Sequence, residues 1–293
     1  MRTSRFLTST LTLLLVLPAS SSAQGPHRFQ PGFNLFSKQQ DVQLGEESAA
    51  QVRKQKTVVK DPFLNNYVNR IGKRLAETQE AKESGFPFTF EVVADPSINA
   101  FALPGGHMFI HTGLLKAVDN EAQLAGVMGH EMSHVILRHG TNQASKANLI
   151  ELPAALAAQM AGKGTMMGQL AQLGIGLGAN SVLLKFSRSA ESQADLTGSH
   201  LMAESGYDPM EMAHFFTKLG ALTHSPGQGL SGSVAQFMSD HPNPDNRERA
   251  IEQEAQLLPQ QNYGYQSGDF KRMKEIVAKI HEPAPKAQPA PTQ

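Results

Sequence analysis

The segment from Ala122 to Gly140, AQLAGVMGHEMSHVILRHG, constrains this chain more than any other. Wound as a helix, it is apolar on almost every side through Leu124, Val127, Met128, Val135 and Leu137, and a helix of that kind is buried. Yet it carries His130, Glu131 and His134. Residues four apart lie nearly above one another on a helix, so the two imidazoles can face one point, with Glu131 leaving from the same turn. Two buried histidines flanking a buried glutamate are costly without partners. The plain alternative is a core helix with two surface histidines, and the apolar surroundings argue against it. Two neutral nitrogen ligands plus a carboxylate that is not itself a ligand suit a zinc ion and a water for Glu131 to hold.

A third ligand is expected further on. Ser187 or Ser189 opens a helix, RSAESQADLTGSHLMAESG, that stops at Gly206 with Pro209 beyond. Glu191 and Asp195 lie one turn apart on it, and two carboxylates so placed repel. Taken alone they read as a solvated acidic face. Beside the His-Glu-x-x-His segment, Glu191 reads as the third ligand and Asp195 as the acceptor for the free N–H of a ligating histidine.

A small sheet is predicted just before the histidine helix. Phe86 to Ala94 alternates and is rich in Phe and Val. Ile98 to Leu103 and His107 to His111 read as two further strands joined through Pro104-Gly105-Gly106, and Leu114 to Val118 as a helical turn. On a strand, His107 and His111 would be about 13 Å apart and cannot share an ion. They read as the polar face of a half-exposed strand. His139 falls five residues after His134 and reads as a residue meeting the helix dipole at its C-terminal end, with Gly140 as the stop.

The remaining chain frames this core. Residues 1–23 have a basic start (Arg2, Arg5), a short apolar run and small residues up to Ala23, the pattern of a secretory signal peptide; an uncleaved anchor is the alternative. Residues 24–37 form an extended arm. Ser37 with Gln40 makes a capping box for a helix to about Lys56, and Asp61-Pro62 opens another through Glu77; the charges on both helices read as solvated faces. The stretch around 150–185 is weakly polar and broken by glycines. It reads either as packed helices or as a surface for a membrane or an outer-membrane assembly partner. A helix from Asp208-Pro209 to Leu222, a Gly-rich loop from Thr223 to Ser233, the loop SDHPNPDNR, helices near 244–258 and 267–281, and a Pro/Ala-rich disordered tail at 282–293 complete the chain. There are 26 basic and 26 acidic residues, so nothing points to nucleic acid. With no cysteine, disulfides, iron–sulfur clusters and thiol catalysis are excluded, and a metal must rest on His, Asp or Glu.

Five motifs in order, DPFLNNYVNRIGKRLA, INAFALPGGHMFIHTGLL, GHEMSHVILRH, ESQAD and DHPNPDNR, resemble the zinc metallopeptidases of the HtpX and CAAX prenyl endopeptidase family, a gluzincin group, nearest its soluble, exported BepA-like branch. The likeness covers about residues 38 to 258. It implies that His130, His134 and Glu191 bind one Zn²⁺ and that Glu131 is the catalytic base. It implies that Asp195 braces the site and that His241 and Arg247 act beside bound substrate, His241 either stabilising the intermediate or approaching the metal as a regulatory ligand. It implies too that the strand Gly106, His107, Met108 and Phe109 offers its edge to an extended peptide. Too few residues follow the His-Pro…Arg element for a tetratricopeptide-repeat array. The expected fold is α+β: a mainly helical zincin-like domain over residues 38–281, with one small mixed sheet before the active-site helix. The expected function is an exported endopeptidase, periplasmic or extracellular, for unfolded polypeptides. The alternative is a latent protease acting as a chaperone-like binding factor.

Overall fold

A computed structural model describes residues 25–151, 186–223, 231–242, 246–259 and 261–282. The predicted signal segment, the stretch at 152–185 and the tail beyond Glu282 lie outside them. The fold is α+β, as the sequence predicts. Helices α1 (Lys38–Gln55), α2 (Pro62–Ala76) and α3 (Gln79–Ser84) lead into strands β1 (Thr89–Val93), β2 (Ala100–Ala102) and β3 (His107–His111). Then come α4 (Thr112–Ala117), α5 (Glu121–Ile136), α6 (His139–Glu151), α7 (Arg188–Glu204), α8 (Met210–Thr223), α9 (Ser231–Asp240), α10 (Arg247–Leu257) and α11 (Phe270–Val277).

Local chemistry starts the elements where the sequence signals them. The Ser37 hydroxyl accepts from the Gln40 amide at 3.1 Å while the Gln40 side chain accepts from the Ser37 amide at 2.8 Å, so two orphan donors of α1 are satisfied reciprocally. Asp61 caps α2 by accepting from the Leu64 amide at 2.8 Å, with Pro62 at the first helical position. Asn120 caps α5 in the same way through the Gln123 amide. The helix α3 is not foreseen by the sequence reading, and α9 begins at Ser231, inside the stretch expected to be a loop.

The sheet order is β1-β3-β2, with β1 parallel and β2 antiparallel to β3. This corrects the expectation for the substrate strand. His107, Met108 and Phe109 lie on the central strand, paired with Thr89, Phe90 and Glu91 on one side and, at Met108 and Phe109, with Ala102 and Phe101 on the other. Beyond them, the Leu103 amide donates to the His107 carbonyl. The carbonyl of Asn99 and the amide of Leu103 both turn inward to β3, so the backbone groups of Ala100 and Ala102 face outward. The outer side of β1 is partly covered by residues 57–59, through Val59 N–H to Val92 O and Ala94 N–H to Thr57 O, both 2.8 Å. Among the described residues, the unpaired edge above α5 is therefore that of β2.

One face of the sheet, including Phe90, Val92, Ala100, Met108 and Ile110, packs into the main core with Leu64, Tyr67, Val68 and Ile71 of α2 and with Leu124, Val127 and Met128 of α5. The other face, with Val93, Phe101 and Phe109, meets Ala49 and Val52 of α1. His111 is buried on this second side, with Nδ1 2.6 Å from the Ser97 hydroxyl, so it is not the half-exposed residue that alternation predicts. Asp41 is likewise buried, not solvated; it accepts from Arg138 Nε at 2.6 Å.

Helix α5 is buried along nearly its whole length. Its closest partner is α7, and glycines set the approach. A Cβ on Gly198 would stand 3.1 Å from the His130 amide nitrogen and 3.2 Å from the Gly129 carbonyl carbon, so any larger residue would push the two helices apart by a few tenths of an ångström. The helix does not run on to Gly140. It ends at Ile136, Arg138 takes a left-handed conformation at φ 56°, and a new helix starts at His139. His139 therefore opens α6 and does not close α5. Among the described residues, no helix is long and apolar enough to cross a membrane.

Candidate metal centre

Four buried side chains converge where α5, α7 and the end of α9 meet. His130 and His134 come from one face of α5, Glu191 from the first turn of α7, and His241 from the residue just after α9. The His241 amide still donates to the Phe237 carbonyl at 2.8 Å, so the helix end fixes its backbone. One nitrogen or oxygen from each of the four lies within 4.8 Å of all the others, and this is the one such cluster among the described residues. Nε2 of His130 is 3.1 Å from Nε2 of His134 and 3.3 Å from Glu191 Oε2. His134 Nε2 is 3.3 Å from Glu191 Oε1. His241 Nδ1 is 3.2 Å from Glu191 Oε1 and 3.3 Å from His130 Nε2.

These separations fit a metal ion. A tetrahedron of N and O donors at about 2.0–2.1 Å from a zinc-sized ion has edges of about 3.3 Å. Two imidazole nitrogens facing each other at 3.1 Å also need a cation or a proton between their lone pairs. Electrostatics point the same way. Glu131, Glu191 and Asp195 are all buried, and among the described residues Arg247 is the fixed cation paired with the last two. Burial opposes a charge on His130, but Glu191 and Asp195 outweigh it and push its pKa up to about 10. Burial also opposes the charge on Glu191, and His241 and His130 outweigh it, holding its carboxyl well below the usual range. The buried carboxylates favour positive charge at the point where the ligand atoms meet.

Two residues expected from the sequence hold this arrangement from outside. Asp195 Oδ1 lies 3.0 Å from His130 Nδ1, one turn below Glu191 on α7. That leaves the His130 Nε2 lone pair for the cluster. Arg247, the first residue of α10, donates from Nε to Asp195 Oδ2 at 2.6 Å and from Nη2 to Glu191 Oε2 at 3.0 Å. Its guanidinium lies over the Phe216 ring at 4.2 Å. Arg247 thus touches the two carboxylates of α7 that face the cluster.

Glu131 stands beside the cluster. Its Oε2 accepts from the Ala102 amide of β2 at 3.2 Å. Its Oε1 is buried with no hydrogen-bond partner, and His241 Nε2 is 3.4 Å away. Burial raises the Glu131 pKa, with His241 and His130 opposing. An orphaned carboxylate oxygen at this place leaves room for a polar ligand. His107 and His111 lie on the α1 side of the sheet and take no part; His107 Nδ1 meets the Thr89 hydroxyl at 2.8 Å.

Several site residues escape the sequence reading. Phe186 stacks on His134 at 3.7 Å and 17°, Phe237 stacks on His241 at 4.8 Å, and Phe216 meets His130 edge-on at 5.2 Å. No periodicity marks an aromatic as the wall of a site rather than core. His139 is the larger omission. Its Nδ1 lies 2.9 Å from His134 Nδ1, and its Nε2 lies 3.2 Å from Gln193 Oε1. Burial pushes its pKa down to about 4. The left-handed turn at Arg138 folds His139 back onto the helix it follows, and no side-chain pattern signals that turn.

The comparisons with known proteins agree with this geometry. The beta-barrel assembly-enhancing protease of Escherichia coli strain K12 is 32% identical over 218 residues, 71% of this chain and 42% of that protein. The mitochondrial metalloendopeptidase OMA1 of Schizosaccharomyces pombe is 32% identical over 187 residues, 64% of this chain and 52% of the relative. The zebrafish (Danio rerio) mitochondrial metalloendopeptidase OMA1 is 28% identical over 199 residues, 66% of this chain and 40% of its own length. The chain thus spans about half the length of these curated relatives, or less. The model of peptidase family M48 matches residues 62–255, a range that holds the histidine helix, Glu191 and Asp195 of α7, and the His241 and Arg247 elements. The chain belongs to peptidase family M48.

Proposed function

We propose that this chain is a zinc-dependent endopeptidase that cleaves unfolded or misfolded polypeptides. The observation that carries the reading is the convergence of His130, His134 and Glu191 on one point, with Glu131 beside it and not part of the convergent set. Two imidazoles and one carboxylate are the donor set of catalytic zinc sites that keep a position open. A zinc ion held there would acidify a water and polarise a peptide carbonyl.

The chain's own groups account for the rest of the chemistry. Glu131 takes the proton of the attacking water on Oε1, the oxygen that has no hydrogen-bond partner, while the Ala102 amide holds Oε2. Glu131 then returns the proton to the leaving nitrogen. His241 Nε2, facing the same oxygen from 3.4 Å, is placed to stabilise developing negative charge. Extended substrate adds to the outward-facing amide and carbonyl of Ala100 and the carbonyl of Ala102 on β2, so main-chain hydrogen bonds hold it with little regard to sequence. Loosely folded chains are the substrates that can offer such a segment.

The signal-peptide pattern at residues 1–23 supports export of this activity, to the periplasm or to the outside of the cell. The E. coli relative's printed name, with its reference to β-barrel assembly, supports a role in envelope protein quality control beside outer-membrane assembly partners.

A second reading is a latent enzyme. His241 Nδ1 stands 3.2 Å from Glu191 and 3.3 Å from His130, close enough to complete the cluster as a fourth ligand. The chain would then act mainly as a binding factor until His241 withdraws.

Casein digestion by the zinc-loaded protein tests the main proposal. Cleavage that stops with a chelator and falls by about 10²–10⁴-fold in Glu131→Gln supports it. Undiminished cleavage by Glu131→Gln overturns it.

A further inference from the structure

We propose that His139 is the positioning residue of His134: it accepts the Nδ1–H of His134 and donates its own Nε2–H to Gln193 Oε1, which keeps the Nε2 lone pair of His134 turned to the metal centre. The inference rests on the metal reading above and adds to it a residue that fixes one ligand's tautomer.

The argument is a count of donors and acceptors. Nδ1 of His134 and Nδ1 of His139 are 2.9 Å apart, and one of the two must carry hydrogen while the other offers a lone pair. His134 Nε2 faces His130 Nε2 at 3.1 Å and Glu191 Oε1 at 3.3 Å, so it is the nitrogen that serves the cluster. A neutral imidazole that gives its Nε2 lone pair away keeps its proton on Nδ1. His139 Nδ1 is then the acceptor, and the proton of His139 sits on Nε2. That atom is 3.2 Å from Gln193 Oε1, an acceptor. Every step pairs one donor with one acceptor. The opposite assignment puts a hydrogen on His134 Nε2, inside the cluster, and requires Gln193 to turn its amide so that the NH2 faces His139 Nε2.

The two ligands are thereby held in different ways. Asp195 approaches His130 from α7 as an anion, itself neutralised by Arg247 at 2.6 Å. His139 approaches His134 from the start of α6 as a neutral group. The pocket already holds the buried carboxylates Glu131, Glu191 and Asp195, and a further anion at His134 would add to that buried negative charge. A neutral acceptor fixes the ring without that cost. Phe186 lies flat on His134 at 3.7 Å and sets the ring plane, while the bond to His139 sets which nitrogen points inward. The left-handed turn at Arg138, tied to Asp41 at 2.6 Å, is what brings His139 round to this position.

Zinc affinity and histidine NMR on the full chain test the proposal together. In competition with a chromophoric chelator, His139→Leu loses about 10–100-fold in zinc affinity, whereas His139→Gln, which keeps an acceptor oxygen, recovers most of it. A merely space-filling role predicts the reverse order. In long-range ¹H–¹⁵N spectra of the zinc-loaded wild type, His139 shows the neutral pattern with the proton on Nε2. Equal zinc affinity for His139→Leu and wild type, or a proton on His139 Nδ1, overturns the inference while the metal reading stands. A wild-type chain that binds no zinc overturns both. Should His139→Leu fail to fold, the wild-type spectrum alone decides.

Discussion

The amide of Ala102 donates to Oε2 of Glu131 across 3.2 Å, tying the free edge of the sheet to the helix that carries the histidines. The bond links the strand proposed to hold substrate with the group proposed to move its proton. Replacing the amide removes a hydrogen bond to a charged acceptor, worth about 1.5–3 kcal/mol. Ala102→Pro should therefore lower kcat/KM on a quenched fluorescent peptide by about 10–100-fold with zinc content unchanged. A variant with full activity would separate the strand from the base.

How much of this was legible follows from the range of each signal. Helical spacing placed His130 with His134, and Glu191 with Asp195, because an i to i+4 relation is fixed by the helix itself. The meeting of α5 with α7 was not written in either segment. It rests on Gly129 and Gly198, whose role shows only once the helices cross. The place of His139 is not legible from helical phase, because the chain leaves the helix at Arg138, at φ 56°. The free edge was assigned to the wrong strand because strand order is a long-range fact: β1 reaches β3 in parallel, past β2 in the chain. Asp41 and His111 were read as solvent-facing, and each is buried by a partner far along the chain, Arg138 and Ser97.

Arg247 donates to Asp195 and Glu191, all three buried. Removing one member of a buried ionic group costs about 3–5 kcal/mol, because the charges left behind have no water. Arg247→Met should lower the denaturation midpoint of the metal-free protein accordingly, and adding Asp195→Asn should restore part of the loss. A double-mutant cycle in urea measures the coupling; strict additivity would mean that the three do not act as a unit.

His241 faces the ligand cluster with Nδ1 and Glu131 with Nε2. If it completes the cluster as a fourth ligand, His241→Ala raises casein cleavage and weakens zinc binding. If it stabilises developing charge, the same variant loses about 10²–10³-fold in kcat and binds zinc as before. Initial rates and zinc affinity on one preparation separate the two.

The N-terminal arm is held by a titratable cluster away from the metal centre. His200 Nδ1 meets Glu80 at 2.9 Å and Nε2 meets Glu254 at 2.7 Å, while the His27 amide donates to Glu254 at 2.6 Å. Burial opposes the charge on His200, but hydrogen bonds to Glu80 and Glu254 outweigh it and raise its pKa above 6.5. Burial opposes the charge on Glu254 as well, and bonds from His200 and His27 bring its pKa below 4.5. The raised histidine contributes stability that is complete below its unfolded value and lost as pH rises through its folded value. The lowered glutamate contributes stability that is complete above its unfolded value and lost as pH falls through its folded value. Both contributions are full between the ordinary values of 4.5 and 6.5. Calorimetry of wild type and His200→Gln should show the largest gap in Tm near about pH 5.5, closing as pH rises through and beyond neutrality. A gap that does not change with pH would contradict this account of the cluster.

The central claim is that His130, His134 and Glu191 are the protein ligands of one catalytic zinc ion. Anomalous diffraction at the zinc edge from crystals of the zinc-loaded chain tests it most directly. The account predicts one strong peak about 2.0–2.2 Å from Nε2 of His130, Nε2 of His134 and a carboxylate oxygen of Glu191. No peak at that point, or a peak bound elsewhere with these three side chains unengaged, would contradict it.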